Sequence, residues 1–122
     1  MCVIAYYPAN VEAKKTTLEN CFDNNPDGAG IMYQANGKVI ITKGYMTFDT
    51  FYEAFSKIPV DVDRVLHFRI ATAGAVDAGN CHPFPICGDI DEMRLTKNVV
   101  PVALAHNGIL SGFSPTTGLK AK

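Results

Sequence analysis

Ile31-Met32-Tyr33-Gln34-Ala35-Asn36-Gly37-Lys38-Val39-Ile40-Ile41-Thr42-Lys43 is the stretch on which the fold turns. Two apolar-rich runs flank Asn36-Gly37. A two-residue turn of that composition accepts the positive φ that a type I′ turn needs at both central positions, so the run is predicted to fold back on itself as an antiparallel hairpin. Downstream, Phe48, Phe51, Tyr52, Phe55 and Ile58 recur at i, i+3, i+4, i+7 and i+10. This spacing predicts a helix over 48–58 with one apolar face, capped by Thr47 and stopped by Pro59. The aromatic stripe reads as helix-to-sheet packing rather than a cofactor site.

The rest of the chain fits around these two elements. Residues 2–7 read as a short buried strand ended by Pro8. Asn10 is the expected N-cap of a helix over 11–23, with Val11, Leu18 and Phe22 on one face. The run Asn24-Asn25-Pro26-Asp27-Gly28 is dense in turn formers and reads as a loop. Residues 64–71 alternate: Leu66, Phe68 and Ile70 point one way, Val65, His67 and Arg69 the other. Residues 99–106 read as a further strand, apolar on both faces, with Pro101 near its start or on an edge. The expected class is therefore α+β with a mostly antiparallel sheet, in one domain spanning 1–122.

Composition narrows the function. A hydrophobic share of 48% allows a real core, and a net charge of −1 gives no electrostatic case for nucleic acid or an anionic membrane as partner. The N-terminus lacks the basic and apolar regions of a secretory signal, and no apolar run reaches bilayer length, so a cytoplasmic setting is expected. Cys2, Cys21, Cys81 and Cys87 are then read as free thiols. Cys81-His82-x4-Cys87 is not a zinc spacing and lacks an obvious fourth ligand, so neither a metal nor another cofactor is expected.

Four segments stand out together: Cys2 at the extreme N-terminus, Asp27-Gly28-Ala29-Gly30, the run from His67 through Arg69 and Thr72 to Gly74, and Ala105-His106-Asn107-Gly108-Ile109. Each has a plain structural reading: a buried small thiol, a loop, an ion-paired strand arginine, a hairpin turn. In this order, and with Asn80-x-His82-Pro83-Phe84 between the third and fourth, they resemble the class II glutamine amidotransferases. These are N-terminal nucleophile (Ntn) hydrolases with an exposed N-terminal cysteine, an Asp-x-x-Gly loop, an Arg-x-x-Thr-x-Gly strand and a His-Asn-Gly turn. The resemblance runs from residue 2 to about 110.

The resemblance implies an αββα sandwich with mostly antiparallel sheets. It also implies hydrolysis of glutamine, or of a γ-glutamyl compound, through a Cys2 thioester that releases ammonia. Loss of Met1 would give Cys2 a free α-amine. In model peptides an α-amine titrates at about 7.7–8.0 and a thiol at about 8.5, so one residue can carry both nucleophile and base. By resemblance Asn107 and Gly108 supply the oxyanion hole, through a side-chain amide and a backbone N–H. Arg69 holds the substrate α-carboxylate with Thr72 beside it, a task suited to a guanidinium fork. His67, His82 and His106 are expected to be structural, because the α-amine already serves as base.

Three features depart from the family. Asn24-Asn25-Pro26 stands where many members carry Arg-Gly, which points to a subfamily. No Asp or Glu follows Glu92, so the carboxylate that would bind the substrate amine is missing, and the chain is expected to be the N-terminal portion of a longer domain with the sandwich incomplete at its C-terminus. A Met1 left in place would block the amine. An alternative therefore stays open: a catalytically inactive pseudo-amidotransferase serving as a binding or assembly module. In the enzyme reading 122 residues leave no room for an acceptor domain, so either a stand-alone γ-glutamyl amidohydrolase or a glutaminase subunit feeding a synthase or acceptor-domain partner is expected.

Overall fold

A computed structural model describes residues 1–72 and 74–108; Ala73, Ile109 and the 118–122 segment of the sequence reading lie outside them. The chain is mixed α and β with a mostly antiparallel sheet. Strands β1 (Val3–Tyr7), β2 (Ala29–Ala35), β3 (Lys38–Tyr45), β4 (Arg64–Phe68) and β6 (Lys97–Val100) form one sheet in the order β1-β4-β2-β3-β6. Every pairing in it is antiparallel. The short strands β5 (Phe84–Pro85) and β7 (Ala103–Leu104) pair separately. Helices α1 (Lys15–Asn24) and α2 (Phe48–Ser56), a single turn, α3 (Ile90–Met93), and a 3-10 turn at Ala78–Asn80 complete the elements among the described residues.

The hairpin forms as its sequence predicts. Asn36 at φ 53° and Gly37 at φ 74° turn β2 into β3, in register from Ala35↔Lys38 to Gly30↔Lys43. Helix α2 also forms, and the Thr47 side chain accepts the Thr50 N–H at 3.3 Å. Thr47→Ala is therefore expected to cost about 1 kcal/mol in a urea titration, the usual worth of such a cap. An unchanged midpoint would remove the cap from the helix's stability.

One face of the large sheet is covered by the helices. Leu18 and Phe22 of α1 and Phe51 and Phe55 of α2 meet Ala29, Ile31, Leu66 and Phe68 in one buried cluster. Phe51 packs edge-on to Phe68 with centroids 5.1 Å apart, and Phe22 does the same at 6.4 Å. The opposite face is covered near its middle by residues 81–84. A Cβ built on Gly30 would lie 1.9 Å from the His82 carbonyl oxygen, and the Lys43 amine sits 3.8 Å from the Phe84 ring centre. Helices, large sheet and small sheet thus form successive layers.

Four expectations need correction. Helix α1 begins at Lys15, not after Asn10. Asn10 has φ 69° and donates its N–H to the Val60 carbonyl at 2.6 Å. The buried Arg64 guanidinium holds the Pro8 and Val11 carbonyls, so residues 8–11 are a braced turn and Val11 is exposed. Strand β1 is an edge strand with alternating exposure, not a buried one. Strand β4 ends at Phe68. The strand read over 99–106 is two: Pro101, without an N–H, separates β6 in the large sheet from β7 in the small one. Val99, Val102 and Leu104 are exposed. No helix among the described residues is long and apolar enough to cross a membrane.

Candidate functional site

Register fixes which side chains share a face. Val3 pairs with Phe68, and Val3, Ala5 and Tyr7 pack on the helix-side core. Alternation then turns Cys2 and Ile4 to the other face, the one that carries His67 and leads into Arg69. The Cys2 sulfur lies against the first residue past Arg69, 3.3 Å from the Ile70 N–H and 3.4 Å from the Ile70 carbonyl. Cys2 is half-buried.

The loop before β2 closes onto the same place. The Asp27 N–H donates to the Arg69 carbonyl at 3.0 Å, and the Arg69 N–H donates to the Gly28 carbonyl at 2.9 Å. The Asp27 carboxylate accepts the Ala71 N–H at 2.9 Å. Gly28 has φ 116°, and a Cβ there would meet the Cys81 sulfur at 2.4 Å. The turn-rich run predicted as a loop over 24–28 begins after Asn24, the last residue of α1, and residues 25–28 are used to clamp residues 69–71 beyond the end of β4. Three of the four sequence segments, those of Cys2, Asp27 and Arg69, meet at one point.

Arg69 is buried. Its guanidinium donates to the Ala75 carbonyl at 2.8 Å, which also accepts the Asn80 side-chain amide at 2.9 Å. Asn80 in turn accepts from Arg94, which pairs with Asp77 at 3.2 Å. The backbone at Ala75 is thereby tied to Arg69, and Thr72 is exposed.

The fourth segment reaches this face through its histidine. His67 and His82 stack at 4.1 Å with planes 12° apart, and His106 meets His82 edge-on at 4.8 Å. The His106 N–H donates to His82 Nδ1 at 3.4 Å. Asn107 and Gly108 follow directly, exposed, with Gly108 at φ 78°. Among the described residues no hydrogen bond joins either of them to Cys2. The expectation that they follow a buried strand fails, since β7 has two residues and Leu104 is exposed.

The stack is electrostatically one-sided. His67 is 1% exposed, and neither ring nitrogen has a hydrogen-bond partner of normal geometry. Burial lowers its pKa to about 4. His106 and Arg69 add to the fall, and the His106 backbone offsets part of it. His82 falls to about 3, by burial first and then by repulsion from His67, His106, Lys43 and Arg69. Lys43 is lowered to about 8 by burial, although its amine donates to the Met93 carbonyl at 2.7 Å. Both stacked histidines are therefore neutral at pH 7.

Cys81 is fully buried beside this cluster, and burial pushes its thiol pKa up, which suits a packing thiol rather than a nucleophile. No group of three or more His, Cys, Asp or Glu side chains among the described residues is arranged to hold a metal ion. Sequence reasoning did not anticipate the histidine stack or the buried Lys43. A signal was available: the chain has three histidines, and each falls in one of the segments singled out, at 67–74, 80–84 and 105–109. Compared with known proteins, the chain matches no family model, no curated sequence and no solved structure.

Proposed function

We propose that this chain is a class II glutamine amidotransferase-type domain of the Ntn-hydrolase kind, which hydrolyses the side-chain amide of glutamine or of a γ-glutamyl compound. The observation that carries the reading is the meeting of Cys2, the Asp27-Gly28 clamp and Arg69 on one sheet face. Residues far apart in sequence, which the family resemblance links by function, are neighbours in space. The succession of helices, large sheet and small sheet supports the sandwich architecture as well.

In this reading Met1 is removed by hydrolysis. The Cys2 thiol gives its proton to its own α-amine, and the sulfur attacks the amide carbon. The resulting oxyanion is met by Asn107 and the Gly108 N–H. The amine returns the proton to the leaving nitrogen, ammonia departs, and a γ-glutamyl thioester remains. Water then cleaves the thioester, releasing the acid and restoring the thiol. Arg69 holds the substrate carboxylate, with Thr72 beside it.

The test is intact-mass analysis after incubation with 6-diazo-5-oxo-L-norleucine. The expected result is a chain lacking Met1 with one adduct on Cys2, and much weaker labelling in Arg69→Ala. An unlabelled chain that keeps Met1 would instead favour the inactive binding module. Full labelling of Arg69→Ala would remove the carboxylate role.

A further inference from the structure

We propose that His82 is the positioning residue of the 106–108 turn: its ring is seated on His67 of the large sheet while its Nδ1 accepts the His106 N–H, which holds Asn107 and Gly108 on the sheet face of Cys2 and Arg69. The inference rests on the function proposed above and deepens it, since it names what presents the oxyanion donors.

Four observations carry it. First, β7 is two residues long and lies in the small sheet, so strand pairing alone anchors the turn weakly. Second, the His106 N–H donates to His82 Nδ1 at 3.4 Å, a hydrogen bond that joins the turn to the segment packed on β2 and β4. Third, that bond selects one tautomer. An accepting Nδ1 puts the His82 proton on Nε2, and the neutral ring it requires is the form that burial among His67, Arg69, Lys43 and His106 favours. Fourth, the His82 backbone is itself fixed, because its carbonyl lies over Gly30, where no side chain intrudes. His82 therefore stands on β2 through its backbone and on β4 through its ring face, and reaches the turn with Nδ1. It touches no reacting atom in this arrangement; it acts through Asn107 and Gly108.

Two substitutions separate the stacking from the acceptor. His82→Phe keeps a flat ring for His67 and removes Nδ1. His82→Asn places an acceptor oxygen near the position of Nδ1 and gives up the ring. Amide hydrogen exchange, read residue by residue by NMR, is the primary measurement, with thermal unfolding to confirm that each variant folds. His82→Phe is expected to speed exchange at His106 by about tenfold, the upper end for one neutral hydrogen bond. His82→Asn is expected to restore much of the protection. In glutamine hydrolysis His82→Phe should lower kcat by roughly tenfold or more with KM little changed, because donors to the oxyanion act in the transition state.

Unaltered His106 exchange in a folded His82→Phe protein overturns the proposal. So does faster exchange with kcat intact in an active protein. A wild-type protein that neither hydrolyses glutamine nor takes the Cys2 label defeats the proposed function instead. The exchange data then decide by themselves whether His82 holds the turn.

Discussion

Gly30→Ala is expected to lower stability by about 3 kcal/mol or more, beyond the usual cost of an added core methyl, and to leave a fraction of the protein unfolded at 37 °C. Gly30 lies in β2, at the centre of the large sheet, paired to His67 on one side and Lys43 on the other. Its missing side chain points at the segment carrying His82. A methyl group there would be 1.9 Å from the His82 carbonyl oxygen, 2.9 Å from its carbon and 2.7 Å from the Lys43 Cβ. Two of these three atoms are backbone, so no rotamer change relieves the clash. The small sheet must lift, and it takes with it the stacking of His82 on His67.

Gly88→Ala is the control. It has open space where its Cβ would lie and no left-handed φ, so little change is expected. Urea titrations followed by circular dichroism compare the two. A Gly30→Ala protein within about 1 kcal/mol of wild type would mean that residues 81–84 do not pack on β2.

The second large effect is acid sensitivity centred on the histidine pair. Unfolded histidine titrates near 6.5, whereas His67 and His82 are lowered to about 4 and about 3. Between pH 6.5 and 4 the unfolded chain therefore binds more protons than the folded one, and stability falls with pH. It is fully present above 6.5 and is lost as pH drops toward the folded values. Each group contributes at most about 1.4 kcal/mol per pH unit. Repulsion between the rings is shared, so a total loss of about 3–5 kcal/mol by pH 4 is expected.

Carboxylates also titrate at the lower end of this window, and His67→Phe separates the two sources. It keeps the stack, removes two unpaired ring nitrogens, and should flatten the slope between pH 6.5 and 5. A wild-type protein equally stable at pH 7 and 5, or a His67→Phe protein with an unaltered slope, would show that the buried pair does not govern acid unfolding.

Much of the fold is legible because it depends on local chemistry. Asn36-Gly37 tolerates positive φ wherever it stands, so the hairpin needs no other part of the chain to specify it. Phe48, Phe51 and Phe55 mark a helix by spacing alone, and Thr47 caps it by reach. Leu18, Phe22, Leu66 and Phe68 are readable as core because periodicity reports which side chains share a face. The errors occur where a distant residue overrides a local preference. Asn10 is a good cap by composition, but the carbonyls on either side of it are held by Arg64, more than fifty residues away, and α1 starts later. Residues 99–106 look uniformly apolar, yet Pro101 hands the chain from one sheet to another.

The candidate site divides the same way. Cys2, Arg69, Thr72, Asn107 and Gly108 are named through the resemblance of their motifs, in order, to one family, and the proposed roles of nucleophile, carboxylate binder and oxyanion donors rest on that resemblance. Only the tertiary structure decided that the Cys2 sulfur rests on Ile70, that Asp27 clamps the backbone beside Arg69, and that three histidines from three segments meet in one stack. Pairing register and layer packing set these distances. They arise from contacts between residues up to 68 positions apart, which no window of sequence contains. The sequence by itself therefore determined the hairpin, the second helix and the mostly antiparallel class. The tertiary structure decided which of the site's groups touch, and which of them burial holds uncharged.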